Sequence, residues 1–321
     1  MPRLSNDSAE LTARTSFEGR ELSFDLAALE IGVAEYDEGP TGCTVLHFPE
    51  GPVACSTDVR GGSPAVSGAA VALVDAICLA GGSLFGLEAA AGVAAELLAQ
   101  RDYRTDWLQI PLVSGAIIFD WGGRDNAVYP DKELGRAALR SARPGAFPLG
   151  ARGAGRSATA GKLLGWELRE AAGQGGAFRQ VGETKIAVFT VVNAIGAIVD
   201  RDGTVVLGHR DPESAARLTL AAGVEERLSG GRPVRPPPGN TTLTVVVTNL
   251  RLEGRDLQTL GRQVHASMAR AIQPFHALED GDVLFAVSTG AVESDPLLDT
   301  TALGVVASEV AWDAVLASVP A

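Results

Sequence analysis

Residues 229–240, Ser-Gly-Gly-Arg-Pro-Val-Arg-Pro-Pro-Pro-Gly-Asn, run directly into Thr241-Thr-Leu-Thr-Val-Val-Val-Thr-Asn249. Proline fixes φ and removes a backbone donor, so the first stretch reads as an exposed loop or linker. The second is dense in β-branched residues, which suit a pleated surface, and reads as the strongest strand of the chain. Residues 110–119 and 186–199 are apolar on both faces, the pattern of strands covered by helices on either side. Shorter strand-like runs lie at 43–48 and 283–288. The spacing predicts a buried, Ala-rich helix after Gly81-Gly82, capped by Ser83, and further helices at 211–229, at 257–272 and at the C-terminus. Strands and helices interleave, so the class is mixed α and β. Residues 1–28 read as a loose arm and 29–321 as one domain.

Composition narrows the function. Of 321 residues 46% are hydrophobic and 21% charged, which excludes a disordered chain. The net charge is −12, with no basic run, so phosphate neutralisation cannot drive nucleic-acid binding. No basic amphipathic stretch offers itself to anionic lipid, no apolar run reaches ~18 residues, and the first residues lack the apolar core of a signal peptide. The expectation is a protein with no nucleic-acid or membrane partner. Cys43, Cys55 and Cys78 are odd in number and lack C-x-x-C spacing, so they read as reduced thiols of a cytoplasmic protein rather than a disulfide framework or metal site. Only Lys132, Lys162 and Lys185 are lysines, which gives weight to any lysine in a motif.

Several familiar motifs fail. Five residues separate Gly155 from Gly161-Lys162 where a phosphate loop has four, and Leu163 replaces the hydroxyl that would hold magnesium. Gly81-Gly-Ser83-Leu-Phe85 breaks the nucleophile-elbow pattern at Phe85. Gly153-Ala-Gly155 has no clear strand before it. His47, His209, His265 and His276 are dispersed and read as surface or cap residues, which disfavours a Ser-His-Asp hydrolase.

The Asn240-Thr241 junction has a bland meaning, a strand that begins after a turn, and a chemical one. If this bond is broken, Thr241 carries both a hydroxyl nucleophile and an α-amine of pKa ~7.7–8.0. That amine can accept the proton of its own hydroxyl, with no histidine needed. It is half neutral near physiological pH, where proton transfer is efficient.

Gly239-Asn-Thr-Thr-Leu-Thr-Val-Val-Val-Thr-Asn249, Asp58-Val-Arg-Gly-Gly-Ser-Pro64, Gly81-Gly-Ser-Leu-Phe-Gly-Leu-Glu-Ala-Ala90 and Ala158-Thr-Ala-Gly-Lys162 occur together and in order. In this the chain resembles the DmpA-type aminopeptidase family of N-terminal-nucleophile hydrolases, from about residue 29 to 315. Asp280-Gly-Asp282 resembles the branch that cleaves 6-aminohexanoate (nylon) oligomers in endo fashion; the aminopeptidase branch carries Ser-x-Glu there. The resemblance implies an α+β fold, an αββα sandwich, made as a precursor. The precursor cuts itself between Asn240 and Thr241 into 1–240 and 241–321, which stay together as a heterodimer. It also implies assembly into a ring of four heterodimers, and neither cofactor nor metal.

Roles follow from the resemblance. Thr241 is the nucleophile, first against the Asn240 carbonyl and later against a substrate amide. Lys162 lies near Thr241, where a buried cation pushes the amine toward its neutral form; read by itself it is a surface lysine, although the flanking Ala-Thr-Ala-Gly argues for burial. Asn193 sits in an apolar run and needs partners. It either bonds a loop or donates to an oxyanion, a contribution of ~3 kcal/mol. Asp280 and Asp282, two apart, face one way if extended and orient Thr241 and Lys162; otherwise they form an acidic turn. Arg60 pairs with a carboxylate. Phe119, where relatives carry Tyr, is the substrate-binding candidate. Pro64-Ala-Val-Ser-Gly-Ala69 lacks the charges expected to hold a free amine, which favours internal amides. The leading expectation is therefore a self-processing hydrolase of linear amides. The alternatives are an aminopeptidase, a threonine-dependent acyltransferase, and a scaffold that never cleaves.

Overall fold

The structure, a computed structural model, describes residues 3–211, 213–231, 233–235, 238–293 and 298–320; Arg232, Pro236 and Pro237 of the expected linker lie outside the described residues. The longer strands are β1 (Glu30–Tyr36), β2 (Thr41–His47), β3 (Val53–Val59), β4 (Ala76–Ala80), β5 (Val113–Ile117), β6 (Gln174–Val181), β7 (Thr184–Asn193), β8 (Thr241–Leu250) and β9 (Val283–Val292). The helices are α1 (Leu87–Gln100), α2 (Lys132–Arg140), α3 (Leu220–Ser229), α4 (Gly254–Ser267) and α5 (Thr300–Ala317). One sheet runs β1-β2-β4-β5 and the other β6-β7-β8-β9-β3, each extended by short edge strands.

The two sheets share an inner core in which Leu46, Ile77 and Leu79 meet Phe189, Val245 and Phe285. On the outer faces, α1 and α2 cover the first sheet around Val45 and Val93, and α4 and α5 cover the second around Val188, Val246 and Leu260. The layers are helix, sheet, sheet, helix, the αββα sandwich expected. Side chains alternate along a strand. In β8, Leu243, Val245 and Val247 enter the inner core while Val246 and Leu250 face the helices, which is why the run is apolar throughout. Close helix packing has a sequence cause: a Cβ at Gly92 of α1 would meet Lys132 O at 2.1 Å, and one at Gly135 of α2 would meet Ala89 O at 2.0 Å.

Some local expectations change. Ser83 (φ 53) opens a 3₁₀ turn, Ser83–Gly86, and α1 starts after Gly86 with no side-chain cap. The predicted helix at 211–229 shortens to α3 because the Asp211 carboxylate accepts the Glu213 and Ser214 N–H groups in a turn. Residues 186–199 divide at Ala194-Ile195-Gly196 into β7 and a strand Ala197–Val199. The N-terminal arm is tied to the body: Ala13–Arg14 pairs with β1, Glu21–Ser23 pairs with Ala146–Pro148, and the Asn6 amide bonds Tyr129 O and Asp131. Helix α5 has 18 residues and a hydropathy of 1.3, enough by length and composition to cross a membrane. It is a core helix, with Leu303, Ala307, Val310, Ala314 and Val315 buried against the second sheet.

Candidate active site

Strand pairing assembles the site. Antiparallel register sets Asn193, the last residue of β7, opposite Thr241, the first of β8. Parallel pairing of β8 with β9 brings up the segment before β9, and Asn240 bridges Asp280. Thr241 is 5% exposed; Asn240, Lys162, Asn193 and Asp280 are 1% and Asp282 0%. All five expected catalytic residues therefore lie in one buried cluster where the central strands begin. A surface cleft lined by Cys55, Val71, Leu73 and Leu257 contains none of them.

The Asn240 carbonyl is held from two sides. The Thr241 hydroxyl donates to it at 2.5 Å and the Gly281 N–H at 2.8 Å. The Asn193 amide nitrogen instead bonds the preceding carbonyl, Gly239 O (3.2 Å), and Phe119 O (3.1 Å), while its oxygen accepts from the Thr159 N–H (3.1 Å) and Lys162 Nζ (3.1 Å). Lys162 Nζ also bonds Asn193 O at 3.0 Å. In the continuous chain Asn193 thus grips the residue before the junction, and the donor on the junction carbonyl is a backbone group that no residue pattern announces.

The acidic pair divides its work. Asp282 Oδ1 accepts the Thr242 N–H at 2.6 Å, one residue beyond the expected target. Asp280 accepts the Ile195 and Ala277 N–H groups at 3.4 and 3.0 Å and lies electrostatically against Lys162. Burial pushes Lys162 down to about 7, opposed by the Asp280 charge. Burial, with Asp282 beside it, pushes Asp280 up to about 7. Burial thus pulls both groups toward their neutral forms, against the attraction of their opposite charges.

The histidines are the main correction to the sequence reading. His265 and His209 are fully buried rather than superficial. Asp282 Oδ2 accepts the His276 N–H (3.1 Å) and lies 3.0 Å from His276 Nδ1. The His276 ring stacks edge-on against His265 at 4.4 Å, and His265 Nδ1 is 2.9 Å from Asp58, which pairs with Arg60 at 2.9 Å. Arg60 thus has the carboxylate partner expected of it, at the outer end of a polar chain that reaches Asp282. Scattered sequence positions hid this chain. Among the described residues no group of three or more His, Cys, Asp or Glu could hold a metal.

Replacing Asn193 by alanine removes the grip on Gly239 O and Phe119 O and leaves Lys162 with fewer partners. We expect kcat to fall about 100-fold or more, the cost of a misplaced acid–base system, because Lys162 loses the amide oxygen that positions it. Steady-state kinetics on an amide substrate check this, and an unchanged kcat refutes it.

Comparisons with known proteins agree with this architecture. The sequence model of peptidase family S58 matches residues 24–321. A 6-aminohexanoate-oligomer endohydrolase of Agromyces sp. (strain KY5R) is 45% identical over 320 residues, covering 97% of this chain and 89% of the relative. An enzyme of the same name from Paenarthrobacter ureafaciens is also 45% identical over 320 residues, with the same coverage. Among solved structures, the L-aminopeptidase D-Ala-esterase/amidase of Ochrobactrum anthropi, described as a variant of the Ntn-hydrolase fold, superposes with a TM-score of 0.67 at 16% identity, covering 95% of this chain and 88% of that one. A β-aminopeptidase of Burkholderia sp. superposes with a TM-score of 0.65 at 16% identity, covering 94% and 88%. The resemblance read from the motifs is thereby borne out, and this chain belongs to peptidase family S58.

Proposed function

We propose that the chain matures by cutting its own Asn240–Thr241 bond and then hydrolyses internal linear amides, 6-aminohexanoate oligomers among them, through an ester on Thr241. The observation that carries this is the Thr241 hydroxyl set against an Asn240 carbonyl already polarised by the Gly281 N–H. In maturation Thr241 Oγ attacks the Asn240 carbonyl carbon, and the charge that develops on oxygen faces Gly281 N–H. The C–N bond breaks, the hydroxyl proton goes to the departing Thr241 nitrogen, and an ester joins Asn240 to Oγ. Water then hydrolyses the ester, leaving Asn240 as a carboxylate and Thr241 as a free N-terminus.

In turnover the new amine takes the Oγ proton as the hydroxyl attacks a substrate amide. It passes that proton to the leaving amine, and water releases the acyl group. Lys162 disfavours a second positive charge beside the amine and keeps it neutral. Strand β8 is paired along its length with β7, so fragments 1–240 and 241–321 would remain together as a heterodimer after the cut. Assembly of four heterodimers in the cytoplasm belongs to the same reading, with which the free, buried Cys43, Cys55 and Cys78 agree.

Capped 6-aminohexanoate oligomers test the substrate claim. An endo-hydrolase cuts them; an aminopeptidase, which needs a free amine, spares them. Added amine acceptors that capture the acyl group in place of water would make the enzyme a transferase. The pH profile tests the base: below the pKa of the amine, kcat/KM is expected to fall about tenfold per pH unit. A rate flat down to pH 5 contradicts it.

A further inference from the structure

We infer that the Phe119 ring is a steric gate that admits unbranched acyl chains and excludes chains branched at the fifth atom from the cleaved bond. The inference rests on the proposed reaction. If one nucleophile and one oxyanion donor serve both maturation and turnover, a substrate acyl group must follow the path that Gly239-Asn240 takes in the precursor. Counting back from the Asn240 carbonyl carbon, the fifth backbone atom is the Gly239 Cα. A Cβ there would lie 2.7 Å from Phe119 Cγ and Cδ1, closer than real Cβ contacts allow. Gly239 also has φ +87, a backbone shape side chains disfavour.

The ring is half-buried and held from one side. It packs edge-on against Trp121 at 6.3 Å. Its neighbour Asp120 is anchored by the Gly82 N–H at 2.9 Å and by Arg124 at 2.6 Å. Along the same path Asn193 Nδ2 bonds Gly239 O, one backbone atom nearer the junction than the refused branch. A polymethylene acid such as a 6-aminohexanoyl unit places its C5 methylene at this atom and passes. An α-peptide with a side chain at the second residue does not.

The test compares kcat/KM for N-acetyl-6-aminohexanoyl p-nitroanilide and its 5-methyl analogue, in wild type, Phe119→Ala and Phe119→Leu. Wild type is expected to favour the unbranched probe by about 10- to 100-fold, and Phe119→Ala to remove most of that ratio, with Phe119→Leu between them. A wild type that hydrolyses both probes alike, or a ratio unchanged in both variants, overturns the gate alone. A wild type inert toward both overturns the reaction it rests on, and the gate with it. Self-cleavage supplies a reading without substrate. Gly239→Ala should slow the appearance of two fragments on a denaturing gel, and adding Phe119→Ala should restore part of the rate. No restoration overturns the gate.

Discussion

Thr241→Ala is expected to yield one uncut chain with no measurable amidase activity. The variant lacks the hydroxyl that donates to the Asn240 carbonyl. Without it no ester forms, the Asn240–Thr241 bond persists, and no α-amine is released. Nucleophile and base are lost together, so the fall should be about ten-thousand-fold or more. Thr241→Ser keeps the hydroxyl and should still process. Because Thr241 is buried in paired strands, thermal unfolding must be measured alongside; a folded, uncut, inactive variant is the predicted result. Normal processing of Thr241→Ala would remove Thr241 from the mechanism.

Lys162→Met should cost both activity and stability. Methionine has a similar length and no charge. It leaves the buried Asp280 without its opposing charge and the two Asn193 oxygens without the lysine donor, so the unfolding temperature should fall. Activity of the folded variant should fall about 100- to 1,000-fold, the range of a misplaced acid–base system. The pH profile carries the sign. Without a cation nearby the protonated amine of Thr241 is less disfavoured, its pKa rises, and the acidic limb of kcat/KM moves to higher pH. Asp280 moves the same way, because the Lys162 charge that opposes its upward shift is gone. A variant with unchanged kcat and an unmoved limb would reduce Lys162 to a structural residue.

Different parts of this arrangement were legible to different degrees. The strand at Thr241 declared itself through β-branched residues, and strands Val113–Ile117 and Thr184–Asn193 through the apolar runs 110–119 and 186–199. The first run is longer than its strand, with Ile110 exposed, and each sheet meets helices on one face and the other sheet on the second. The order of motifs carried the αββα sandwich. Register was not legible: that Asn193 faces Thr241 depends on where β7 stops, and β7 stops because Ala194-Ile195-Gly196 leaves the ladder. The Gly281 donor was invisible because every residue but proline has an N–H, and only the fold aims this one. Asn193 was found as a residue but not in its contacts, which go to Gly239 and Phe119. His276 and Asp58 lie far apart in sequence and meet only through His265 in three dimensions. Ser83 was misread because local capping patterns do not report the 3₁₀ turn that the Ile118 carbonyl imposes by accepting its N–H.

N-terminal sequencing and intact mass of catalytically active enzyme put the central claim to its most direct test. The mechanism predicts a fragment that begins Thr-Thr-Leu-Thr, with a mass matching 241–321, beside a second fragment that ends at Asn240. Full activity in a preparation that contains only the uncut chain, or a cut at any other bond, would contradict it.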